Sequence, residues 1–339
     1  MNREKKRRTI LYTCIFVLAL VGVALLICVF GNALNKSEQQ DEKETSDFIT
    51  EMETVYIDGE GYLRRDDIKT YLFIGLDKSG KLERSDNAYN EGNQADFILL
   101  FVIDDKNHSC NLIHINRDTM TEVQKLGAIG DVLDREVMQI CLSHAYGDGM
   151  HNSCINTRDA VSNLFYGIKI DKYFSASTSA VSKINDFIGG VTVTLNEDLT
   201  TINPTFTEGA TVTLLGDTAT KFIQGRRGVA DQTNLNRMER QKQYMSAFAE
   251  QIKTCGKQSS EFIDLYNSLS DYIISDSGLD DLKKLISAGT EYKINPIMSP
   301  DGEANYDNQF AEFYVNEASL KEIVKSVFFE KTQKDNQSN

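Results

Sequence analysis

The alternation of apolar and polar positions is clearest in the middle of the first half of the chain. Two apolar, β-rich runs, Phe97–Asp104 and Asn111–Asn116, flank the polar segment 105–108, which reads DKNH. This pattern is typical of an antiparallel hairpin. If the turn is centred on Lys106 and Asn107, opposed residues have numbers that add to a constant, which fixes the register.

Charged residues gather at the open end of this predicted hairpin. The register places Asp96 opposite Arg117, with Asp118 one step beyond. Such groups at the mouth of an apolar hairpin do not fit a core, so we predict that this rim is the functional edge. The buried-type strand Tyr71–Leu76 is followed by Asp77, which comes close to Asp96 if that strand ends at the same rim.

A second charged stretch, 224–241, precedes a long predicted helix. Asn234 is the expected N-cap and the helix runs to about Lys253. Arg237 and Gln241 fall at the margin of its apolar stripe, about one turn apart, whereas Arg240 points towards solvent. The predicted buried stripe consists of Leu235, Met238, Met245, Phe248 and Ile252.

The remaining periodicity predicts an alternation of short strands and helices. Residues 121–143 indicate a loop and then a short helix, and residues 143–149, SHAYGDG, a glycine-bearing turn. Expected helices are Asn156–Phe165, Ser179–Ile188 and Ser319–Phe329. Expected short strands are Tyr173–Ser175, Val191–Leu195 and Phe310–Val315.

The N-terminus has the pattern of a membrane anchor. A basic cluster, MNREKKRR, precedes the uncharged aliphatic run Thr9–Phe30, which is long enough for a hydrocarbon core of roughly 30 Å. The basic flank favours a cytoplasmic N-terminus and an extracellular C-terminal part. A cleaved signal peptide is the alternative, because Gly31-Asn32-Ala33 offers small residues at cleavage spacing.

Polarity divides the chain into one domain with appendages. We predict a cytoplasmic tail at 1–8, a transmembrane anchor at 9–30, an extracellular linker at 31–68, a catalytic domain at 69–330 and a disordered tail at 331–339.

Charge and cysteine spacing exclude several classes of function. The formal net charge is −14, and no basic stripe occurs beyond the extreme N-terminus, so a nucleic-acid partner is not expected. An anionic ligand must therefore be held by local arginines. Four cysteines follow the apolar run, namely Cys110, Cys141, Cys154 and Cys255, and their spacing fits no zinc motif and leaves their pairing open. Glycine-rich phosphate loops are absent from the sequence.

Two sets of polar residues carry the candidate chemistry. The aspartates 77, 96 and 118 supply oxygen ligands that suit Mg²⁺ or Mn²⁺, or they are ordinary strand-end residues. The basic set comprises Arg117, Arg226, Arg227 and Arg237, with Gln241 beside it. Guanidinium groups match phosphate oxygens and can hold a diphosphate. Salt bridges to the acidic set are the alternative.

Several of these motifs occur together in one known family. The anchor, FIGLD, the hairpin with AD…NRDT, SHAYGDG, GGVTV and RRGVADQTNLNRMERQ follow the order found in LytR-CpsA-Psr proteins. The chain resembles that family from roughly Tyr71 to Lys253. The resemblance implies an α/β fold, a three-layer sandwich whose central mixed sheet is flanked by helices, outside the membrane of a Gram-positive cell.

The resemblance also implies an activity and its residues. Such proteins transfer a glycopolymer, such as teichoic acid or capsular polysaccharide, from an undecaprenyl-diphosphate carrier to peptidoglycan. Asp77 and Asp96 match its magnesium-associated aspartates, and Arg117 matches the arginine of its Arg-Asp-Thr motif, with Asp118 alongside. We therefore predict Asp96, Arg117 and Asp118 as the catalytic residues. Arg117, Arg226, Arg237 and Gln241 match diphosphate-binding positions. A pocket between sheet and helices is expected to take the prenyl chain.

Two positions depart from the family pattern. Gln94 and Gln224 stand where the family often has arginine, and each removes a positive charge from the predicted diphosphate site. These departures favour a second hypothesis, a relative that binds prenyl phosphates or wall polymer without chemistry. A metal-dependent diphosphatase acting on the same carrier is a third.

Overall fold

The computed structural model describes residues 55–332, except 58, 91–92, 128, 226–232, 258–260, 262–263, 266–267, 279, 282–283, 286–287, 289–290 and 307–309. The predicted tail 1–8 and anchor 9–30 lie outside the described residues, as does most of the predicted C-terminal tail. Within the part described, no helix combines the length and the apolar character needed to cross a bilayer.

A central sheet organises the fold. Its six strands are arranged β11-β8-β3-β4-β5-β12, with parallel and antiparallel pairs, so the sheet is mixed. In that order they are Ile273–Ser275 (β11), Lys172–Ala176 (β8), Ile68–Leu76 (β3), Ala95–Asp104 (β4), Ser109–Ile115 (β5) and Lys293–Ile294 (β12).

The hairpin predicted from sequence forms the middle of this sheet. In β4 and β5, Ile98 pairs with Ile115 and Asp104 with Ser109, so the predicted register is confirmed. Strand β3 lies antiparallel to β4 on its other side, and its end reaches the same rim.

Both faces of the sheet are covered. Alternate residues of the strands, such as Ile98 and Leu100, join one hydrophobic cluster, and their neighbours Leu99 and Phe101 join another. The alternation follows from the pleat, which points successive side chains to opposite faces. Burial on both faces explains why the strands are almost continuously apolar.

Helices flank the sheet and the smaller strands. The helices that the structure describes from end to end are, in chain order, His151–Leu164 (α1), Thr178–Phe187 (α2), Asp217–Gln224 (α3), Asn234–Thr254 (α4) and Glu317–Phe328 (α5). Buried residues of α1 and α5 pack in the cluster that contains Ile98. Together with the mixed sheet they give a mixed α/β fold.

The other strands form small sheets. They are Val55–Ile57 (β1), Glu60–Arg64 (β2), Met120–Leu126 (β6), Val132–Gln139 (β7), Val191–Thr194 (β9), Thr211–Leu214 (β10), Gly302–Asn305 (β13), Glu312–Val315 (β14) and Phe329–Lys331 (β15). Strand β2 pairs with β1 and β15. The pair β9–β10 packs with α3 and α4 around Leu214, Phe222 and Phe248.

The structure corrects the prediction for residues 121–143. The expected loop is the hairpin β6–β7, and only Ile140–Ser143 is helical, as one 3₁₀ turn. Most of β7 is exposed, so its residues carry no periodic apolar signal. Short strand pairs of this kind escape detection because their pairing does not depend on burying one face.

Candidate functional site

The strand ends at the rim are tied together through Asp77 and Gln94. The backbone N–H of Asp77, just after β3, donates to the carbonyl of Gln94 at 3.0 Å. The N–H of Gln94, just before β4, donates in turn to Asp77 Oδ1 at 2.7 Å. These reciprocal bonds hold the Asp77 carboxylate at the start of β4.

An irregularity in pairing sets the position of Asp96. Gly75 pairs with Phe97 and Leu76 with Ala95, which leaves Asp96 as an extra residue in β4. A bulge of this kind redirects the side chain that it contains. Gly75 suits this place because a Cβ there would lie 2.9 Å from the Phe97 Cβ.

Two arginines from distant segments converge on Asp96. Arg117, which follows β5, donates through Nη1 to Asp96 Oδ1. Arg237, on α4, donates through Nη1 to Asp96 Oδ2 at 3.1 Å. The Arg237 side chain is 3% exposed, whereas the side chains of Arg117 and Asp96 retain 12% and 14% exposure. The structure thus brings together residues predicted from two separate charged stretches, and they form the salt bridges that were the alternative to phosphate binding.

Arg117 has further partners on the protein. Its Nη2 donates to Gln94 Oε1 and to Cys141 Sγ, the latter at 2.7 Å. Its Nε lies 3.4 Å from Asp118 Oδ1. Sequence reasoning did not connect Cys141 with this arginine, because nothing in a 3₁₀ turn after an exposed strand marks a site residue.

Asp118 lies deeper than Asp96. Its side chain is 4% exposed, and Oδ1 accepts a hydrogen bond from Gln139 Nε2 at 3.2 Å. Gln139 ends β7, so the unpredicted hairpin supplies a contact to the site.

The N-terminus of α4 differs from the expected cap. The side chain of Thr233, not Asn234, caps the helix by accepting the Asn236 N–H at 3.1 Å. Asn234 instead donates through Nδ2 to Asn116 Oδ1 at 2.6 Å, and its Oδ1 accepts from Arg237 Nη2. The side chain is therefore used in tertiary contact.

Two further predictions for α4 are wrong. Arg240 is 4% exposed rather than solvent-facing, because Glu197 and the backbone carbonyls of Phe222 and Gly225 cover it. Leu235 is 47% exposed rather than buried. A helical wheel places residues on faces but does not show which faces receive neighbours.

The remaining predicted binding residues lie near the junction of α3 and α4. Gln241 donates through Nε2 to the carbonyl of Ile223 at 3.1 Å. Its buried Oε1 has no hydrogen-bond partner among the described residues. Gln224 ends α3. Arg226 and Arg227 lie outside the described residues.

Protonation behaviour follows from burial and charge. Burial, followed by the charge of Asp96, raises the pKa of Asp77 above its ordinary value. Burial lowers the pKa of Arg117, but Cys141, Asp96 and Asp118 outweigh it, so that pKa is raised and the guanidinium stays charged. Burial raises the pKa of Cys141 to about 11, with Arg117 acting in the opposite direction.

A cysteine nucleophile is not supported. The thiols of Cys110, Cys141, Cys154 and Cys255 are free, which answers the question of their pairing. His144 contacts the carbonyl of Asn93 and the thiol of Cys154, not Cys141. A neutral buried thiol is a poor nucleophile, because the thiolate is the reactive form.

No cluster of three or more His, Cys, Asp or Glu residues in the described ranges is arranged to hold a metal ion. The carboxylates of Asp77 and Asp96 are nevertheless close enough that the charge of Asp96 disfavours ionisation of Asp77. A cation relieves this repulsion, and Mg²⁺ is commonly bound through one or two carboxylates plus substrate phosphates. The two carboxylates are oxygen donors of the kind that Mg²⁺ binds in proteins.

The site thus combines charged groups of both signs at one edge of the sheet. A model of the LytR_cpsA_psr family matches residues 27–328, most of the chain. The chain belongs to the LytR_cpsA_psr family.

Two curated relatives are similar to part of the chain. The polyisoprenyl-teichoic acid–peptidoglycan teichoic acid transferase TagU of Bacillus cereus is 27% identical over 180 residues, which cover 52% of this chain and 50% of TagU. TagU of Bacillus mycoides is 26% identical over 176 residues, with the same coverage. The chain spans about half the length of the curated relatives it matches.

Solved structures share the LytR_cpsA_psr fold. Bacillus subtilis TagT aligns with a TM-score of 0.55 at 20% identity, over 77% of this chain and 90% of TagT. TagT bound to LIIa-WTA aligns with a TM-score of 0.56 at 19% identity and the same coverage. Lin1025 from Listeria innocua aligns with a TM-score of 0.53 at 18% identity, over 78% of this chain and 97% of that protein. These likenesses establish the fold.

Proposed function

We propose that this protein is a membrane-anchored transferase that moves a glycopolymer from a polyprenyl-diphosphate carrier to peptidoglycan and forms a phosphodiester. The observation that carries the proposal is the convergence of Arg117 and Arg237 on Asp96, next to Asp77. Family membership and the transferase names of the TagU relatives support it.

The two arginines are suited to a diphosphate. Each guanidinium presents several N–H groups in one plane, and such forks match phosphate oxygens. In this structure both of them are paired with Asp96. A bound diphosphate competes with Asp96 for these N–H groups. Gln241 would donate to phosphate oxygens through its Nε2, which in this structure donates to the carbonyl of Ile223.

Asp77 and Asp96 would hold Mg²⁺, with Mn²⁺ as a substitute. When bound, the ion supplies positive charge that stabilises the negative charge developing on phosphate oxygens. The protein contributes the half-buried carboxylate of Asp77 and the direction that the bulge gives to Asp96.

Proton removal from the attacking hydroxyl is assigned to Asp96 rather than Asp118. The Asp96 side chain is 14% exposed and lies at the rim, whereas Asp118 is 4% exposed. A general base must lie within hydrogen-bond reach of the hydroxyl that it deprotonates. A peptidoglycan hydroxyl attacks the sugar-linked phosphorus, the new phosphorus–oxygen bond forms and the prenyl phosphate leaves.

The prenyl chain is assigned to a pocket between the central sheet and the helices, next to α4. Met238 and Met245 are buried apolar residues of this helix. The N-terminal run Thr9–Phe30 would anchor the protein beside the membrane that holds the carrier.

The direct test is transfer of a radiolabelled polyprenyl-diphosphate glycan to peptidoglycan in vitro, in the presence of Mg²⁺. We expect Asp96→Ala to lower the rate at least about 100-fold, the scale of a lost general base. Asp66→Ala is the matched control, since Asp66 is exposed and precedes β3 at the opposite end of that strand. Equal rates for the wild type and Asp96→Ala contradict the proposal.

The contacts of Arg117 favour one alternative, a protein that binds prenyl phosphate without transferring it. Gln94 and Cys141 already occupy Nη2 of this arginine. Lipid retained in native mass spectrometry, with no transfer from any donor, identifies this alternative. Release of phosphate in the absence of an acceptor identifies the diphosphatase.

A further inference from the structure

Two buried amides link the arginine-bearing segments behind the rim. Asn116 immediately precedes Arg117, and Asn234 is the first residue of α4, one turn before Arg237. Asn116 is 5% exposed and Asn234 is 3% exposed. Burial of an amide is costly unless its hydrogen bonds are made, so the partners of these residues are informative.

The hydrogen bonds form a continuous chain from one segment to the other. Asn116 Oδ1 accepts from the Asp118 N–H at 2.9 Å and from Asn234 Nδ2 at 2.6 Å. Asn234 Oδ1 accepts from Arg237 Nη2. The order is therefore Asp118, Asn116, Asn234, Arg237, and each amide joins two neighbours.

Local roles do not account for this arrangement. Thr233 already caps α4, so Asn234 is not needed as a cap. The bond from Asp118 N–H to Asn116 is an ordinary Asx turn, but such a turn needs no second amide from another helix. The contact between Asn116 and Asn234 spans 118 positions in the sequence, and it orients one guanidinium relative to the other.

We propose that Asn116 and Asn234 are positioning residues that set the direction of Arg237 relative to Arg117. This inference rests on the proposed function for its purpose, because the hydrogen bonds of the two amides run to protein groups. An ion pair with Asp96 fixes the distance of a guanidinium but directs it weakly. The bond to Asn234 Oδ1 adds direction, and Asn116 fixes Asn234 in turn. The two arginines then keep their directions when a diphosphate replaces Asp96 as the acceptor of their N–H groups.

Substitutions of Asn116 test the inference, because Asn116 bonds to Asn234 and not to Arg237 itself. Asn116 acts through Oδ1 alone in both of its bonds, so the carboxylate of Asn116→Asp can accept both. Asn116→Leu has a similar size and accepts neither. We expect Asn116→Leu to lower kcat about 10- to 100-fold, the range expected if the hydrogen bond of Asn234 to the charged Arg237 guanidinium, worth roughly 1.5–3 kcal/mol, is lost with it. Asn116→Asp restores kcat to within about threefold.

A merely structural role predicts a different pattern, namely a parallel loss of folding and of kcat. Circular dichroism and the thermal midpoint of the full chain measure the folding of each variant. A double-mutant cycle of Asn116→Leu with Asn234→Leu tests whether Asn116 acts on Arg237 through Asn234. If Asn116 acts through Asn234, the double variant loses no more kcat than Asn234→Leu alone. Additive losses overturn the inference, as does a kcat of Asn116→Leu equal to that of the wild type.

A readout without turnover separates this inference from the proposed function. The ¹⁵N resonances of the Arg237 guanidinium are assigned with Arg237→Lys and compared between variants. We expect Asn116→Leu to change the chemical shifts of the Arg237 guanidinium nitrogens and to merge their separate signals, although Asn116 does not bond to Arg237. Asn116→Asp should leave these signals as in the wild type. If the wild type transfers no glycan but this pattern is found, the positioning stands and the proposed function fails. Unchanged Arg237 resonances in Asn116→Leu overturn the positioning itself.

Discussion

Gln94 accepts a hydrogen bond from Arg117 Nη2 through its side-chain carbonyl, while its backbone N–H donates to Asp77. The residue therefore links an arginine and an aspartate of the site. The family resemblance sets arginine at this position, but arginine has no acceptor. Glutamine at position 94 lacks the positive charge of an arginine but supplies a hydrogen-bond acceptor. That acceptor holds the Arg117 side chain in place.

Restoring the arginine is expected to impair this protein. Gln94→Arg removes the acceptor and sets two guanidinium groups against each other, so we expect transfer to fall at least about 10-fold, as for the loss of a charged hydrogen bond. Initial rates in the transfer assay measure the effect.

Gln94→Glu serves as the control, since its carboxylate still accepts from Arg117 and its rate should remain within about fivefold of the wild type. A faster Gln94→Arg protein would show that the missing charge matters more than the missing acceptor.

The raised pKa of Asp77 gives the stability a pH dependence. The fold disfavours the ionised form of Asp77. The contribution of Asp77 to the free energy of unfolding therefore falls as pH rises from its ordinary pKa of 3.8 through its raised pKa in the folded state. Asp77→Asn lacks this loss. We expect Asp77→Asn to be more stable than the wild type at pH 7, and the difference to shrink below about pH 4. Urea unfolding at a series of pH values measures it, and a constant difference contradicts it.

Mg²⁺ should act on the same carboxylate. Addition of Mg²⁺ at pH 7 is expected to raise the thermal midpoint of the wild type, because a ligand that binds only the folded state stabilises it. Asp77→Asn should show no increase, and removal of the ion with a chelator should reverse the change. An equal increase in both proteins would place the ion elsewhere.

Arg240 is expected to be essential for stability. Arg240→Met leaves Glu197 without its partner and removes the bonds to the carbonyls of Phe222 and Gly225. Breaking a buried ion pair costs about 3–5 kcal/mol, so the free energy of unfolding should fall by roughly 3 kcal/mol. Arg135→Met is the control, because the pair Arg135–Glu122 is half exposed and should change stability by less than about 0.5 kcal/mol. Similar losses in both variants would contradict the prediction.

Cys141 is expected to support Arg117 without reacting. With a pKa of about 11 and a buried thiol, it should resist iodoacetamide in the native protein at pH 8, while the partly exposed Cys255 is labelled. Cys141→Ser should retain transfer within about fivefold, since a hydroxyl also accepts from Arg117. Peptide mass spectrometry reads the labelling, and a covalent glycan on Cys141 would refute this role.

The sequence predicted the central hairpin and its register because the turn is short and both strands are regular. Ile98 opposite Ile115 and Asp104 opposite Ser109 follow from counting alone. The proximity of Asp77 needed an assumption about topology, and no periodicity predicts the bulge that exposes Asp96.

Other parts escaped prediction for physical reasons. The hairpin β6–β7 buries little of β7, so its composition resembles a loop. Arg240 lies on the side of α4 that a helical wheel assigns to solvent, yet the end of α3 covers it. Asparagine is a common N-cap residue, but the side-chain amide of Asn234 donates a hydrogen bond to Asn116 instead. In each case a contact with a residue distant in the sequence determines the structure, and local sequence propensity does not predict such a contact.

Asp96 and Arg237 meet across 141 positions of chain. A chain that ends before α4 lacks Arg237 and leaves Arg117 as the arginine partner of Asp96. If the proposed function holds, copies shortened before α4 are expected to be inactive in the transfer assay.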